Sequence, residues 1–412
     1  MNTIRSVLSI FRSQGLGGVL RRIGERLTGT SSRLPSPLRY EDALAVDWRT
    51  HHPAVVSPVT VGPGSLTVAW IMSPPGVGSG GHQNIFRFIK FLEEAGHRVR
   101  IYLYSADKVV SLARARSVAA SSSYPRIDAS IELYPASGVA TDVDAIVATG
   151  WETAYPSFRD SSLARRIYFV QDYEPYFYPV GTDSVLAENT YRFGFVGITA
   201  GGWLAQKLAT DFGMTTSHYD FSADRARYHL INNGPRKEIL FYVRPGTERR
   251  GFELGIMALD LFSRERPEYT INLAGWDVRR YSIPFAHNNL KTMPVDQLNE
   301  VYNRCAAGLV LSMTNMSLLP LELIAAGVIP VVNDGDNNTM VSDNEFIEYT
   351  PASPRALADR LISLVDRADL PEHARAAAAS LDGAGWARSG EQFVEAFESA
   401  MRGPTKGSSL NG

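Results

Sequence analysis

The sequence predicts an α/β protein built from two parallel-sheet domains. Three observations predict it. Short apolar runs such as LTVAWIM (66–72), RIYFVQDYE (166–174, apolar over 167–170) and AGLVL (307–311) alternate with helical patterns, as parallel strands covered on both faces do. Residues 66–104 run strand, glycine-rich loop, helix, strand, which is a βαβ unit. The chain has 412 residues, 44% hydrophobic and 20% charged, enough for two separate cores.

Composition narrows the function. A net charge of −2 argues against bulk nucleic-acid binding. The single cysteine, Cys305, excludes an internal disulfide, fits a reducing compartment and reads as a buried structural thiol. No run of about 18 apolar residues predicts a transmembrane helix. His, Cys, Asp and Glu do not fall at metal-ligand spacings, so no metal and no cofactor are expected.

Residues 1–28 stand apart. Ile4, Val7, Leu8 and Phe11, then Leu16, Val19, Leu20, Ile23 and Leu27, recur at helical spacing, with five arginines at other positions and one acid, Glu25. This basic amphipathic leader suits an anionic membrane surface or docking on the protein itself. Residues 29–64, rich in Ser, Pro and Gly, read as a linker.

The first domain is expected over 65–215. Its glycine loop, PPGVGSGGHQN (74–84), has the spacing G-x-G-x-G-G, which is not the dinucleotide fingerprint, and argues against NAD. A helix is expected over 85–96, and strands over 98–104, 129–134, 144–150, 166–174 and 193–199. Helices are expected at about 107–120, 183–192 and 200–212. The strand RIYFVQDYE ends in Gln171, Asp172 and Glu174 among Tyr173, Tyr176, Phe177 and Tyr178. Carboxylates and aromatics at a strand's carboxyl end sit where α/β proteins bind ligands, although a loop that merely caps the sheet would read the same way. Carboxylates bind hydroxyls and aromatic faces stack on sugar rings. Trp151 and Glu152, just after the preceding strand, are candidates for the same cleft.

The second domain is expected over 216–384. Residues 312–334, SMTNMSLLPLELIAAGVIPVVND, read as the end of a strand, a polar loop, a short helix and another buried strand. Ser317 is a candidate N-cap, Pro320 fits the first turn and Gly327 ends the helix. Such a helix N-terminus suits a phosphate. Glu322 reads either as an exposed helix carboxylate or, one turn behind that terminus, as a ligand for ribose hydroxyls; we favour the second. EILFYVRPGTERRGF (238–252) is strand and basic loop leading into a helix, and its guanidiniums can hold a diphosphate bidentately. The remaining segments are a strand at 269–275, a segment 289–305 whose start can be a plain turn and whose end is a helical pattern at Cys305, strands at 328–332 and 346–350, and helices at 353–366, 371–380 and 385–401.

These segments resemble the GT-B glycosyltransferases of family 4, in which two Rossmann-like domains face each other across a cleft. Glu322, Ala325 and Gly327 match the second half of the family's Glu-x7-Glu motif, and Thr314 stands where its first Glu would be. Arg244, with Arg249 or Arg250 before Gly251, matches V-G-R-x-x-x-x-K-G with one residue more. The loop S-x-T-N-x-S-L-x-P-L-E resembles the WsaF-type rhamnosyltransferases, which use dTDP-rhamnose. The resemblance implies a donor site of Arg244, Arg249, Arg250, Thr314, Asn315, Ser317, Leu318, Leu319 and Glu322, with the base near Lys291, Thr292 and Met293. It brings Gly80, Gly81 and His82 toward the donor sugar or the acceptor, although His82 also fits a helix terminus without a chemical role. It places the acceptor against Trp151, Glu152, Tyr173 and Tyr176, and folds a helix at 385–402 back onto the first domain. It also implies retention of configuration; an inverting enzyme would need Asp172 or Glu174 as base.

The expected function is transfer of a sugar, rhamnose from dTDP-rhamnose, to a growing cell-surface polysaccharide. The place would be the cytoplasm, peripherally on the inner membrane face. Two readings of other classes remain open. A nucleotide-sugar epimerase of the same fold would need no acceptor. A non-catalytic saccharide-binding protein would ignore nucleotide.

Overall fold

Strand order decides which loops of this chain meet. The computed structural model describes residues 37–50, 64–106, 110–383 and 385–402. The amphipathic leader and most of the linker lie outside the described residues. The first sheet comprises β1 (Thr67–Met72), β2 (Arg98–Leu103), β3 (Ser130–Leu133), β4 (Ala145–Ala148), β5 (Arg165–Val170), β6 (Val196–Ala200) and β7 (Thr216–Tyr219). It runs in the order β3-β2-β1-β4-β5-β6-β7, every pair parallel. The second comprises β8 (Glu238–Tyr242), β9 (Thr270–Ala274), β10 (His287–Lys291), β11 (Cys305–Val310), β12 (Ile329–Asn333) and β13 (Glu348–Thr350). Its order is β10-β9-β8-β11-β12-β13, again parallel throughout. Each sheet reverses direction of growth once, between β1 and β4 and between β8 and β11. Open α/β sheets bind ligands at the carboxyl ends of strands at such reversals. The predicted α/β class with two Rossmann-like domains is therefore the observed one.

The apolar runs form the sheet centres. Every residue of β1, β4, β11 and β12 is buried. The edge strands carry no such run, and two of them stand outside the expected set. β7 (TSHY) and β10 (HNNLK) lie at sheet edges, where one side of the strand meets solvent and polar residues are tolerated. β10 reaches into the start of the segment 289–305, for which no strand is expected, and the helix before Cys305 is Leu298–Tyr302. β7 carries the first sheet four residues past position 215. The helix Gly80–Glu94 begins five residues before its expected start, because Ser79 caps it and its oxygen accepts the His82 N–H. A short helix, Tyr40–Ala45, arises inside the expected linker. It is fastened to the first domain by Asp42, which accepts from Tyr104 and pairs with Arg159.

The helix Trp386–Arg402 packs on the first sheet although the second sheet separates the two in sequence. Phe393 and Phe397 are fully buried there, and the Phe393 ring lies 4.8 Å from that of Phe88. Burial of one such ring contributes about 1.5–3 kcal/mol. Gly390 allows the close approach: a Cβ at this position would lie 2.6 Å from three atoms of the Phe91 ring. Gly390→Val is expected to lower stability by about 1–3 kcal/mol through overpacking. Thermal unfolding checks this, and the loss should shrink when Phe91→Ala is added.

Candidate active site

The loops that follow β8 and β11 leave neighbouring strands and are bonded to each other. Met313 N donates to Arg249 O at 2.9 Å, and Arg250 Nη1 donates to Ser312 Oγ at 2.7 Å. Gly251, at φ 56°, turns the basic loop into its helix, where a Cβ would press on Leu311 and Met313. Together the loops form one wall of a cleft of about 750 Å³ between the domains.

The structure brings together Arg244, Arg249, Arg250, Ser317, Leu318, Leu319 and Glu322 on that wall. Gly80, Gly81, Asp172 and Glu174 line the cleft from the first domain. The helix Leu319–Ala325 is short, and Ser317 is not its cap. Leu318 takes the N-cap position in helical conformation without a side-chain bond, so the first turn offers backbone donors to the cleft. The loop's polar groups turn inward instead. Ser312 Oγ donates to Asn315 O, and Asn333 Nδ2 to Ser312 O.

Other expected site residues stand outside the lining. Thr314 is buried, and its carbonyl accepts from Asn337. Asn315 is a tether between domains: its N–H donates to Asp172 Oδ1 at 2.8 Å, and its Nδ2 donates to the carbonyls of Ala200 (2.9 Å) and Gln171 (3.2 Å). Lys291, Thr292 and Met293 flank the end of β10, Lys291 with φ 57°, while Val295 and Leu298 just beyond them reach the cleft. His82 is held within the glycine loop. Its Nδ1 bonds Ser79 Oγ at 2.8 Å and its Nε2 bonds Ser73 O at 3.2 Å, and burial lowers its pKa, against the Ser73 bond. Trp151 is 1% exposed; its Nε1 donates to Tyr178 OH, and its backbone N–H donates to Glu174 at 2.6 Å. Tyr173 is buried against Tyr191, and Tyr176 is exposed. Glu152 is half-buried beside Glu174. The aromatic of this segment that does line the cleft is Phe177, whose ring lies 3.8 Å from the Arg249 guanidinium.

Asp172 is wholly engaged. Besides Asn315 it accepts from the Tyr173 N–H and lies 3.5 Å from Arg249 and 3.9 Å from Arg250. Burial, and then the neighbouring Glu152, pushes Glu174 up to about 8, against the hydrogen bonds from Tyr168 and Trp151. Burial pushes Glu322 up to about 7, against the positive charge of Arg87 and Arg227. Residues missed in the sequence share this cleft: Arg87, Asp224, Arg227, Tyr228 and Trp386. Arg87 carried a signal, as a cation one turn after Asn84 on an amphipathic helix. The connector residues 224–228 carry no periodicity and gave none. Among the described residues, no group of three or more His, Cys, Asp or Glu side chains is gathered for a metal, and no helix is long and apolar enough to cross a membrane.

Solved structures share this architecture. Anabaena HepE, in complex with UDP and glucose, superposes with a TM-score of 0.62 at 14% identity, covering 81% of this chain and all of that one. A putative UDP-N-acetylglucosamine 2-epimerase from Listeria monocytogenes gives 0.52 at 10% identity, over 83% of this chain and 98% of that one. At these identities the likeness speaks for the fold alone. Two Rossmann-like domains with a cationic cleft between their reversal points define the GT-B class. Residues 126–199 match the N-terminal domain of WsaF and residues 237–362 its C-terminal domain. The chain belongs to the WsaF-type GT-B glycosyltransferases. It is also 35% identical over 235 residues to the O-antigen biosynthesis protein RfbC of Myxococcus xanthus, a match covering 55% of this chain and 18% of that protein.

Glu174 and Glu322 both hold their protons to higher pH in the folded chain than in the unfolded one. Folded-state stability from these groups is therefore fully present below about pH 4.5, the ordinary carboxyl range, and falls as pH rises toward about 7 and about 8. Glu174→Gln keeps an acceptor for Trp151 and Tyr168 but removes the ionisation. Its melting temperature should decline less than that of the wild type between about pH 5 and about pH 9. Parallel declines would show that Glu174 titrates alike in both states.

Proposed function

We propose that this chain transfers rhamnose from dTDP-rhamnose to a growing saccharide of the O-antigen type. One observation carries the reading: the arginines of the β8 loop and the open first turn before Glu322 line one cleft. The guanidiniums of Arg244, Arg249 and Arg250 receive the diphosphate, and Glu322 receives the free 3′-hydroxyl of the nucleoside's deoxyribose. Negative charge grows on the diphosphate as the bond to the sugar's C1 breaks, and fixed cations stabilise that charge without reorganising. The rhamnose and the O-antigen assignments follow the WsaF and RfbC likenesses. An epimerase shares the fold; the match to both WsaF domains favours the transferase.

In the proposed reaction the acceptor oxygen forms a bond to C1 on the face the diphosphate leaves, and its proton passes to a diphosphate oxygen. Two observations favour this retaining course over a carboxylate base. Both oxygens of Asp172 are already held by backbone N–H groups and arginines. Glu174, pushed up to about 8, is mostly protonated at neutral pH and suits donation of a hydrogen bond to a substrate hydroxyl.

Turnover of dTDP-rhamnose with a saccharide acceptor, followed by nucleotide release, tests the assignment. Arg244→Ala is expected to lower kcat by about 10²-fold or more while the fold persists. Strict selectivity for another donor would overturn the sugar assignment. Failure to release nucleotide from dTDP-, UDP- and GDP-sugars alike would overturn the transferase reading.

A further inference from the structure

The cleft contains a cation that the donor motifs do not account for. Arg87 projects from the helix Gly80–Glu94 of the first domain into the same cleft as Glu322 of the second. Its Nη1 donates to Asn84, itself buried, and its guanidinium lies 3.8 Å from the centre of the Trp386 ring. Trp386 opens the helix that returns to the first domain. The side chain is thus held from two sides, so little freedom remains to be lost when it acts. A neutral amide and a ring do not cancel its charge.

Glu322 faces charged and titratable groups from three elements. They are Arg87 from the helix Gly80–Glu94; Asp224, Arg227 and Tyr228 from the connector between the sheets; and Tyr302 from the helix Leu298–Tyr302. Burial opposes its ionisation, and so does Asp224; Arg87 and Arg227 favour it. Arg227 is itself within 3.9 Å of Asp224, which compensates part of its charge. A protonated carboxyl loses acceptor capacity toward a sugar hydroxyl, so the state of Glu322 decides how well it can hold the nucleoside.

We propose that Arg87 is a positioning residue of the donor site, supplying from the opposite domain the positive charge that lets Glu322 meet nucleoside hydroxyls as an anion. The inference rests on the donor reading given above. It means that nucleoside recognition by the second domain is complete only when the first domain's helix is in place.

The test is calorimetric binding of dTDP and of UDP to the full chain from about pH 6 to about pH 9, for wild type, Arg87→Met and Arg87→Lys. Arg87→Met should weaken binding about 10-fold near neutral pH and recover toward wild-type affinity at the alkaline end, since each unit of pKa shift is worth a factor of ten. Arg87→Lys, which keeps the charge, should retain most of the affinity. Thermal unfolding of each variant shows whether it is folded. A loss equal at every pH, or no loss in Arg87→Met, would overturn the proposal while leaving the donor reading intact. Wild-type protein that binds neither nucleotide would overturn both.

Discussion

The two domains are joined across the cleft by one carboxylate. Asp172, at the carboxyl end of β5, accepts the Asn315 N–H from the loop after β11 and faces Arg249 and Arg250 from the loop after β8. Both loops of the second domain's reversal point are thereby fixed against the first domain's sheet. Two unit charges about 4 Å apart attract by about 4 kcal/mol at the effective dielectric of a protein surface, before desolvation is counted. The Asn315 amide adds hydrogen bonds to the carbonyls of Gln171 and Ala200, which direct the same loop. The geometry of the donor wall is thus set partly by the other domain.

The cleft carries charges of both signs without any ligand, with the positive in excess. Five arginines, at 87, 227, 244, 249 and 250, face four carboxyls, at 172, 174, 224 and 322. The balance is uneven in place. Asp172 and the basic loop share one end. Glu322, Arg87, Arg227 and Asp224 share another. Glu174 lies apart from any cation in contact distance, held by a backbone N–H and a tyrosine hydroxyl, and it answers burial by keeping its proton. Glu174 and Glu322 therefore both answer burial upward, each against different neighbours. Arg250 shows the converse: burial lowers its pKa, and Asp172 offsets part of that cost.

Sequence pattern made the sheet interiors legible because a strand covered on both faces must be apolar. It failed at β7 and β10 because an edge strand need not be. The basic loop and the 312–334 segment were legible as sites from their punctuation: polar residues after a buried strand, then a helix, then glycine. That they lie side by side depends on β8 pairing with β11, which no local pattern states. Thr314 and Asn315 show the limit of motif reading. Their positions resemble donor ligands, yet their side chains turn away from the cleft lining, one into the protein and one into the other domain. Trp386 was illegible, and Arg87 legible only as a cation on its own helix, for a related reason. Each belongs to an amphipathic helix whose pattern describes its own domain, and their meeting beside Glu322 is a property of how the chain returns.

This shared use of atoms links donor and domain arrangement. On the proposed function, the arginines that would receive a diphosphate are the ones Asp172 already engages. An incoming diphosphate must either displace that carboxylate or share the guanidiniums with it. Displacement weakens one contact across the cleft and leaves the Asn315 bonds to carry the junction. Sharing strengthens it, because an added anion can bridge donors from both sides. In either case binding at the diphosphate end and the relative placement of the domains are coupled, and the coupling is reciprocal: whatever holds the domains together alters the affinity for the diphosphate by the same factor. At the proposed nucleoside end Glu322 and Arg87 line the same cleft, with the carboxyl on the second domain and the cation on the first. With arginines and carboxyls divided between the domains at both places, a ligand spanning the cleft as proposed would meet both domains twice, which ties its binding to their placement.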